Sequence, residues 1–178
     1  MPVSGVKKQQ ELRFSVRYIA ELKDIRKVLT IIGQSRIRLI KKDLMYVLGE
    51  DGNHGFLIVE NNTKKTAGFL IYEKTKSGFH IHYLVVRPSM RRKGAGKEAI
   101  LHIVRKTMFC GSFIVSANVS ETNLCGQLFL KRQDFEATDT ILKFYKNGDN
   151  SYFMQRCICD NADYEANTQV SQFTTSSW

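Results

Sequence analysis

Apolar and polar side chains in the first third of the chain follow a pattern that predicts one strand and then two helices. Residues 12–18 alternate apolar with polar, which is the period of a half-buried strand. Residues 22–32 carry apolar side chains at helical spacing, and Gly33 predicts the end of that helix. The same spacing over residues 37–47 predicts a second helix that ends before Gly49.

In the remainder of the chain, short apolar runs are separated by turn residues, which predicts strands with two helices between them. The predicted strands are residues 56–60, 67–73, 79–86, 113–119, 135–145 and 152–158. Polar residues 61–65 join the first two as a hairpin, and residues 147–148 form a turn before the last. Pro88 ends the third strand because proline has no N–H to donate. The predicted helices span residues 94–108 and 123–132.

Together these elements predict one mixed α/β domain, of the α+β kind, over residues 1–159, followed by an acidic, polar tail over residues 160–178. Of the 178 residues, 43% are hydrophobic and 25% charged, which excludes a disordered or fibrous chain. No apolar run reaches the roughly 20 residues of a membrane-spanning helix, and the first ten residues lack the hydrophobic stretch of a secretory signal. We therefore expect a soluble protein in the cytoplasm that does not bind a membrane.

The four cysteines do not form a recognisable metal or disulfide motif. They are Cys110, Cys125, Cys157 and Cys159, without the paired spacing of a zinc site or the density of a disulfide-stapled domain. Cys157 and Cys159 lie two residues apart in an alternating segment, which predicts two small side chains on one strand face. We expect no metal site.

The charge is strongly positive and lies mostly in the first hundred residues. The chain has 27 Lys and Arg against 17 Asp and Glu, a formal net charge of +10. Isolated cations are usually solvated, but this excess also fits an anionic partner such as nucleic acid or the ribosome. Few aromatic residues lie among the N-terminal cations, which disfavours base recognition and leaves phosphate contacts.

The segment from Tyr83 to Ile100 carries the most specific chemical signal, because an apolar strand leads through a basic loop into a helix. The first N–H groups of a helix lack internal partners and lie at the positive end of its dipole, so they bind anions. Gly94 and Gly96 let an anion approach this backbone. The motifs GxxxxGK[ST] and GxGxxG are absent, so neither common nucleotide loop is present. The alternative is a helix cap surrounded by solvated cations.

Two motifs in this part of the chain resemble those of the GNAT superfamily of N-acetyltransferases. The first, similar to the family's acetyl-CoA signature, is Val86-x-Pro88-x-x-Arg91-x-x-Gly94-x-Gly96. The second, a more divergent match, is Asn123-x-x-Gly126-x-x-Phe129-Leu130-x-x-x-Asp134-Phe135. The order of elements over residues 12–158 also resembles the family. The resemblance implies a mostly antiparallel central sheet of about 6–7 strands, with one splayed parallel pair and flanking helices.

The resemblance also implies a co-substrate and its binding residues. Acetyl-CoA would donate its acetyl group directly to an amine of a protein, a peptide or a small molecule, without a metal. The residues implied in binding it are Leu84, Val85 and Val86 along the pantetheine arm, Arg92, Lys93, Gly94, Ala95 and Gly96 under the diphosphate, Arg91 and Lys97 beside it, and Asn123 near the arm.

A group that removes a proton from the amine is expected on the strand that ends at the first motif, where some relatives place a Glu. This chain has His80 and His82 there, two residues apart and therefore predicted to share a strand face with Leu84 and Val86. An imidazole suits this role near neutral pH. The alternative is a pair of hydrogen-bonded or surface histidines. Glu73, at the end of the preceding strand, is a weaker candidate base.

The chain departs from the family at the residue that protonates the leaving thiolate. Many relatives carry a Tyr seven residues after the Asn of the second motif, where this chain has Leu130. Tyr145, Tyr152 or water would then supply the proton. The alternative to an N-acetyltransferase is a catalytically weak acyl-CoA-binding or RNA-associated module on the same fold. The sequence does not identify the acceptor.

Overall fold

The computed structural model of the chain describes residues 13–20, 22–35 and 53–158, and seven strands in these ranges form a single sheet. The strands are β1 (Phe14–Tyr18), β2 (Asn53–Glu60), β3 (Thr66–Lys74), β4 (Gly78–Val86), β5 (Ile114–Ser120), β6 (Glu136–Ile141) and β7 (Ser151–Cys157). The helices are α1 (Leu22–Ser35), α2 (Ala95–Phe109) and α3 (Leu124–Lys131), with a 3-10 turn at Pro88–Met90.

The sheet has the order β1-β2-β3-β4-β5-β7-β6, and β4 and β5 form its one parallel pair in the described residues. All other neighbours are antiparallel. The helix α2 connects the two parallel strands, as a parallel pair requires a crossover. The predicted mixed α/β fold with a mostly antiparallel sheet is therefore confirmed.

Most predicted elements are present, and the differences have local causes. The helix α1 does not end at Gly33, as predicted, but continues to Ser35. A glycine inside a helix costs only about 1 kcal/mol, and the buried Ile31 and Ile32 hold this turn against the sheet. The strand predicted over residues 135–145 ends at Ile141. The helix predicted over residues 37–47, the tail and Cys159 lie outside the described residues, and Cys157 is exposed.

Each face of the sheet buries its own hydrophobic core. On one face, α2 packs over strand residues such as Phe56, Tyr72 and Phe79. On the other, α1 packs over a smaller cluster that includes Leu57 and Phe69. A large apolar side chain that becomes fully buried stabilises the fold by about 1.5–3 kcal/mol, so both helices are held mainly by these contacts.

The two parallel strands approach each other most closely at Gly78, the first residue of β4. A side chain at this position would overlap the carbonyl oxygen of Ile114 on β5. Both strands belong to the core under α2, so neither can move away without losing contacts. Only glycine fits at this end of the parallel pair.

Replacing Gly78 with Ala should destabilise the protein by about 1–3 kcal/mol, because the new methyl group must push the two strands apart. The matched control is Gly33→Ala, where no atom lies within 4 Å of the added carbon. This control lies within α1 and should stabilise the protein by about 0.5–1 kcal/mol. Urea unfolding measures both values. Equal stability of the two variants would contradict the close approach of β4 and β5.

Candidate active site

The parallel strands separate soon after they begin, and this separation forms a cleft. The β4–β5 ladder runs from the Gly78–Ile114 pair to the Ile81–Ala117 pair. Both strands continue beyond that point, β4 to Val86 and β5 to Ser120. The backbone of the second half of β4 therefore borders an opening between the strands, which agrees with the predicted splay.

A bulge in β4 lies at the point where the strands separate. Ile81 pairs with Tyr72 and Tyr83 pairs with Ile71, so His82 is an extra residue between two consecutive partners on β3. One extra residue reverses the alternation of side chains along the rest of the strand. Odd-numbered residues before the bulge and even-numbered residues after it therefore lie on the same face of the sheet.

The bulge overturns the expected face of the histidines. Ile81 before the bulge and Leu84 and Val86 after it all contact the core under α2. His80 alternates with Ile81 and consequently lies on the other face of the sheet. The prediction that His80 and His82 share a face with Leu84 and Val86 was wrong. The two histidines do lie together, with ring centroids 5.1 Å apart.

His80 sits in a partly buried polar niche at the closed end of the cleft. Its Nδ1 lies 2.9 Å from Ser116 Oγ, and its Nε2 lies 3.4 Å from Asn118 Nδ2. The ring stacks on Phe153 with a centroid distance of 6.0 Å. Burial, with a smaller contribution from His82, lowers the pKa of His80 to about 4. The imidazole is therefore neutral at pH 7 and can accept a proton.

The other two predicted bases form a pair beside His80. His82 Nε2 and Glu73 Oε2 are 3.0 Å apart, and both side chains are partly exposed. All three candidate bases thus lie in one cluster on β3 and β4.

Tyr145 belongs to the connection between β6 and β7. Burial raises the pKa of its phenol above the ordinary value, with a smaller opposing contribution from Ser151. A backbone hydrogen bond of 3.1 Å from the N–H of Tyr145 to Asp149 O fixes this connection. Tyr152, the alternative proton donor, contacts the core under α2 on the opposite face from Phe153 and His80. The structure therefore separates Tyr152 from the candidate bases.

Asn118 and Ser151 were not predicted as site residues. Ser151 is completely buried, and its hydroxyl lies 3.3 Å from Asn118 Oδ1. The only indication in the sequence was that each is a polar residue in a strand whose alternate positions are apolar. Their proximity to His80 depends on strand pairings between distant parts of the chain, so the sequence alone could not reveal it.

The basic loop lies between the end of β4 and the start of α2. Arg91 Nε donates to Val86 O at 3.1 Å, which ties the loop to the strand. Gly94 caps α2 in the left-handed conformation with φ of 96°, and the hydrogen bond from Glu98 N to Gly94 O begins the helix. The backbone N–H groups that precede Glu98 are the ones that a helix leaves without internal partners.

The surroundings of this helix start fit a bound diphosphate. An added Cβ at Gly96 would lie 3.1 Å from the Phe129 ring, so glycine lets the start of α2 pack closely against α3. Arg91, Arg92, Lys93 and Lys97 are exposed around it, whereas Ala95 is buried. Leu84 and Val86 are partly buried and Val85 is buried, which leaves the β4 backbone as the part that can pair with an extended ligand.

In this structure, residues of the second motif cap α3 and pack it against the core. Asn123 Oδ1 accepts a hydrogen bond of 3.0 Å from Gly126 N and so caps the helix. Leu130 is buried in the core under α2 and cannot donate a proton. The expected contact of Asn123 with a pantetheine arm stays a prediction.

A comparison with protein families agrees with the fold and the cleft. The family described as Acetyltransferase (GNAT) family matches residues 23–135, so the chain belongs to the GNAT acetyltransferase family. Membership indicates transfer of an acetyl group from acetyl-CoA. A comparison with curated protein sequences gives no significant match.

Solved structures share the fold at low sequence identity. The ribosomal-protein-S18-alanine N-acetyltransferase from Escherichia coli has a TM-score of 0.71 at 16% identity, covering 82% of this chain and 94% of that one. Ard1 from Thermoplasma volcanium has a TM-score of 0.70 at 20% identity, covering 84% and 100%. NAA60 from Arabidopsis thaliana, in complex with a bisubstrate analogue, has a TM-score of 0.67 at 19% identity, covering 82% and 99%.

The described residues contain no group of three or more His, Cys, Asp or Glu side chains arranged to hold a metal ion. None of the helices in the same ranges is both long enough and apolar enough to cross a membrane.

The low pKa of His80 predicts a pH dependence of stability. In the unfolded chain a histidine takes up its proton near pH 6.5, whereas His80 in the folded protein does so only near pH 4. The unfolded state therefore binds more protons in this range, and the free energy of unfolding should fall as the pH drops from about 6.5 to 4. Urea unfolding across this range measures the effect.

His80→Gln is expected to reduce this loss without removing it, because burial also lowers the pKa of His102 to about 4. His102→Gln is the matched control that should remove the other part. An unchanged pH dependence in His80→Gln would show that His80 is not held neutral by the fold.

Proposed function

We propose that this protein is an acetyl-CoA-dependent N-acetyltransferase that transfers the acetyl group directly to an amine of a protein, a peptide or a small molecule. The observation that carries the proposal is the cleft that begins beyond the Ile81–Ala117 pair, with the cationic start of α2 following the end of β4. A thioester with a long arm and a diphosphate has the shape and charge that this combination accommodates.

Binding of acetyl-CoA would use the backbone more than the side chains. The free amides at residues 92–96 and the positive end of the α2 dipole would hold the diphosphate. Arg91, Lys93 and Lys97 would add charge-assisted interactions from the exposed loop. The backbone of residues 84–86 would pair with the amides of the pantetheine arm and direct the thioester toward the closed end of the cleft.

The transfer itself needs little covalent participation by the protein. The amine nitrogen forms a bond to the thioester carbonyl carbon, the carbon–sulfur bond breaks, and the amine loses a proton while the thiolate gains one. Holding the amine and the thioester together accounts for much of the rate enhancement, and backbone N–H groups of β4 beside the cleft would stabilise the oxyanion.

His80 is the group we assign as proton acceptor. With a pKa of about 4 it is neutral at pH 7 but is a weak base toward a free ammonium. The attacking nitrogen becomes much more acidic once its bond to carbon forms, and at that stage a neutral imidazole can take the proton. His82 and Glu73 form the adjacent pair that can pass the proton toward solvent.

Tyr145 is the group we assign as proton donor to the thiolate. Burial raises its pKa, so the phenol stays protonated at pH 7. Leu130 and Tyr152 both pack against the core under α2, so neither lies on the face of the sheet that carries His80.

The acceptor class we favour is a protein or peptide amine. An α-amino group, with a pKa near 8, is neutral in a larger fraction of molecules at pH 7 than a lysine amine with a pKa near 10.4, so it demands less of a weak base. The neighbours include a ribosomal-protein-S18-alanine N-acetyltransferase and the NatC complex bound to Gag peptide and CoA, which supports this choice.

A second candidate function is a catalytically weak acyl-CoA-binding or RNA-associated module. The buried Leu130 at the position of the usual proton donor favours it. Incubation with labelled acetyl-CoA and separate pools of peptides, small amines and RNA distinguishes the two. Label transfer to an amine supports the enzyme, whereas salt-dependent RNA retention without transfer supports the module.

Replacing Gly94 with Glu should weaken CoA binding at least 10-fold, because it places a negative charge at the helix start and strains a residue with φ of 96°. Isothermal titration calorimetry at low salt measures the affinity. The matched control is Gly111→Glu, at the opposite end of α2, where φ is 65° and the space beside the residue is also open. Equal affinities of the two variants would contradict a diphosphate site at Gly94.

Replacing His80 with Gln should lower kcat by about 100-fold, since general-base catalysis contributes that much, and should remove the part of the acidic limb that protonation of the imidazole causes near pH 4. Tyr145→Phe should lower kcat by a similar factor and leave the acidic limb in place. Transfer to a peptide amine under saturating acetyl-CoA measures both. Tyr152→Phe is the control, and a larger effect there than at Tyr145 would overturn the assignment of the proton donor.

A further inference from the structure

We propose that Asn118 and Ser151 are positioning residues, linked to His80 by a hydrogen-bonded chain across β5 and β7 that fixes the tautomer and orientation of the imidazole. The inference rests on the proposed function for its catalytic meaning. Its structural content, a fixed tautomer and orientation of His80, is independent of the reaction.

The chain consists of consecutive contacts on one face of the sheet. Ser151 Oγ lies 3.3 Å from Asn118 Oδ1. Asn118 Nδ2 lies 3.4 Å from His80 Nε2, and His80 Nδ1 lies 2.9 Å from Ser116 Oγ. His80 and the buried hydroxyl of Ser151 are thereby connected through the uncharged side chain of Asn118.

The donor and acceptor capacities of these groups determine their orientation. The hydroxyl of Ser151 is completely buried and has three acceptors within reach: Asn118 Oδ1 at 3.3 Å, and Val119 O and Tyr152 O at 3.5 Å each. Donation to the nearest of these, the amide oxygen of Asn118, keeps the amide NH2 turned toward His80. An NH2 group only donates, so His80 Nε2 must accept and carries no proton. The proton of the neutral imidazole therefore sits on Nδ1 and is donated to Ser116 Oγ.

This tautomer is the one that can act on an acceptor amine. The contact of Nε2 with Asn118 is 3.4 Å long and that of Nδ1 with Ser116 is 2.9 Å. An incoming amine or water therefore displaces the Asn118 amide from Nε2 more easily than it displaces Ser116 from Nδ1. Asn118 also follows the last β5 residue that pairs with β4 and so lies where the strands separate. The unprotonated nitrogen is thus kept beside the opening.

Charged and titratable groups also lie beside the chain, namely His82 and Glu73 next to His80. They influence the pKa of His80, whereas the uncharged Asn118 and Ser151 determine which nitrogen carries the proton.

The test is the tautomer of His80 in the full chain without acetyl-CoA, measured by long-range 1H–15N correlation spectra at pH 7 and assigned with His80→Gln. The wild-type ring should show one tautomer, with the proton on Nδ1. Ser151→Ala frees the Asn118 amide to rotate and should give a mixture of tautomers, although Ser151 does not contact His80. Ser151→Thr keeps the hydroxyl and should restore the single tautomer.

Two further variants keep the inference testable if Ser151→Ala does not fold. Asn118→Asp presents a carboxylate that only accepts, so the proton should move to Nε2 and the pKa of His80 should rise by about one unit or more. The matched control is Ser120→Ala, because Ser120 pairs with Ser151 in the β5–β7 ladder but hydrogen-bonds to Thr122 and Asp149 instead. It should leave the His80 spectrum unchanged.

The outcomes separate this inference from the proposed function. A wild-type spectrum in Ser151→Ala, or an unchanged tautomer in Asn118→Asp, overturns the positioning role whether or not the protein transfers acetyl groups. If the spectra change as expected, the same variants should lower kcat about 10-fold with little change in KM for acetyl-CoA. Spectral changes in a protein that transfers no acetyl group would reject the proposed function alone.

Discussion

The structure depends on the way in which β4 and β5 are joined at one end and separated at the other. At Gly78 the strands are so close that a single methyl group would not fit. After Ile81 the bulge at His82 changes the direction and parity of β4, and the ladder ends. A uniform ladder would leave no space for an extended ligand, and two strands separated along their whole length would not hold together. The cleft exists because the strands are joined at Gly78 and separated after Ile81, within the nine residues of β4.

The same separation divides the chemistry between the two ends of the cleft. At the open end, the loop and α2 present cations and free amides to solvent, where an anion can arrive. At the closed end, His80 lies among buried and uncharged groups. Partial burial disfavours charge, which lowers the pKa of the imidazole and raises that of the Tyr145 phenol. Both groups are held neutral, as a proton acceptor and a proton donor must be before they react.

The features that the sequence predicted well are local. The loop motif spans residues 86–96, and its conformation follows from a proline, two glycines and the start of a helix. Strand and helix positions follow from short periodic runs. The bulge at His82 could not be predicted, because it is defined by pairing with β3, and the assumption of regular alternation placed His80 on the wrong face. The end of α1 was misplaced at Gly33 because burial of neighbouring isoleucines outweighs the cost of one glycine.

The position of the proposed proton donor follows from a different set of contacts. Leu130 has become part of the apolar core, so its segment no longer offers a hydroxyl to the cleft. Tyr145 instead lies in a connection that is tied to the segment after β5. Asp149 accepts hydrogen bonds of 2.9 Å from Ser120 Oγ and 2.8 Å from Thr122 Oγ1. Glu121 holds Asn150 through both its backbone and its side chain, at 2.8 and 3.0 Å.

These ties give a loop residue the fixed position that a helix residue would have had. Asp149 also explains part of the raised pKa of Tyr145, since its negative charge disfavours a phenolate nearby. The position of this loop residue therefore depends on five polar side chains, those of Ser120, Glu121, Thr122, Asp149 and Asn150. The connections that these side chains join flank β5 and β7, the strands that carry Asn118 and Ser151. The same pair of strands therefore supports both the proposed proton donor and the proposed proton acceptor.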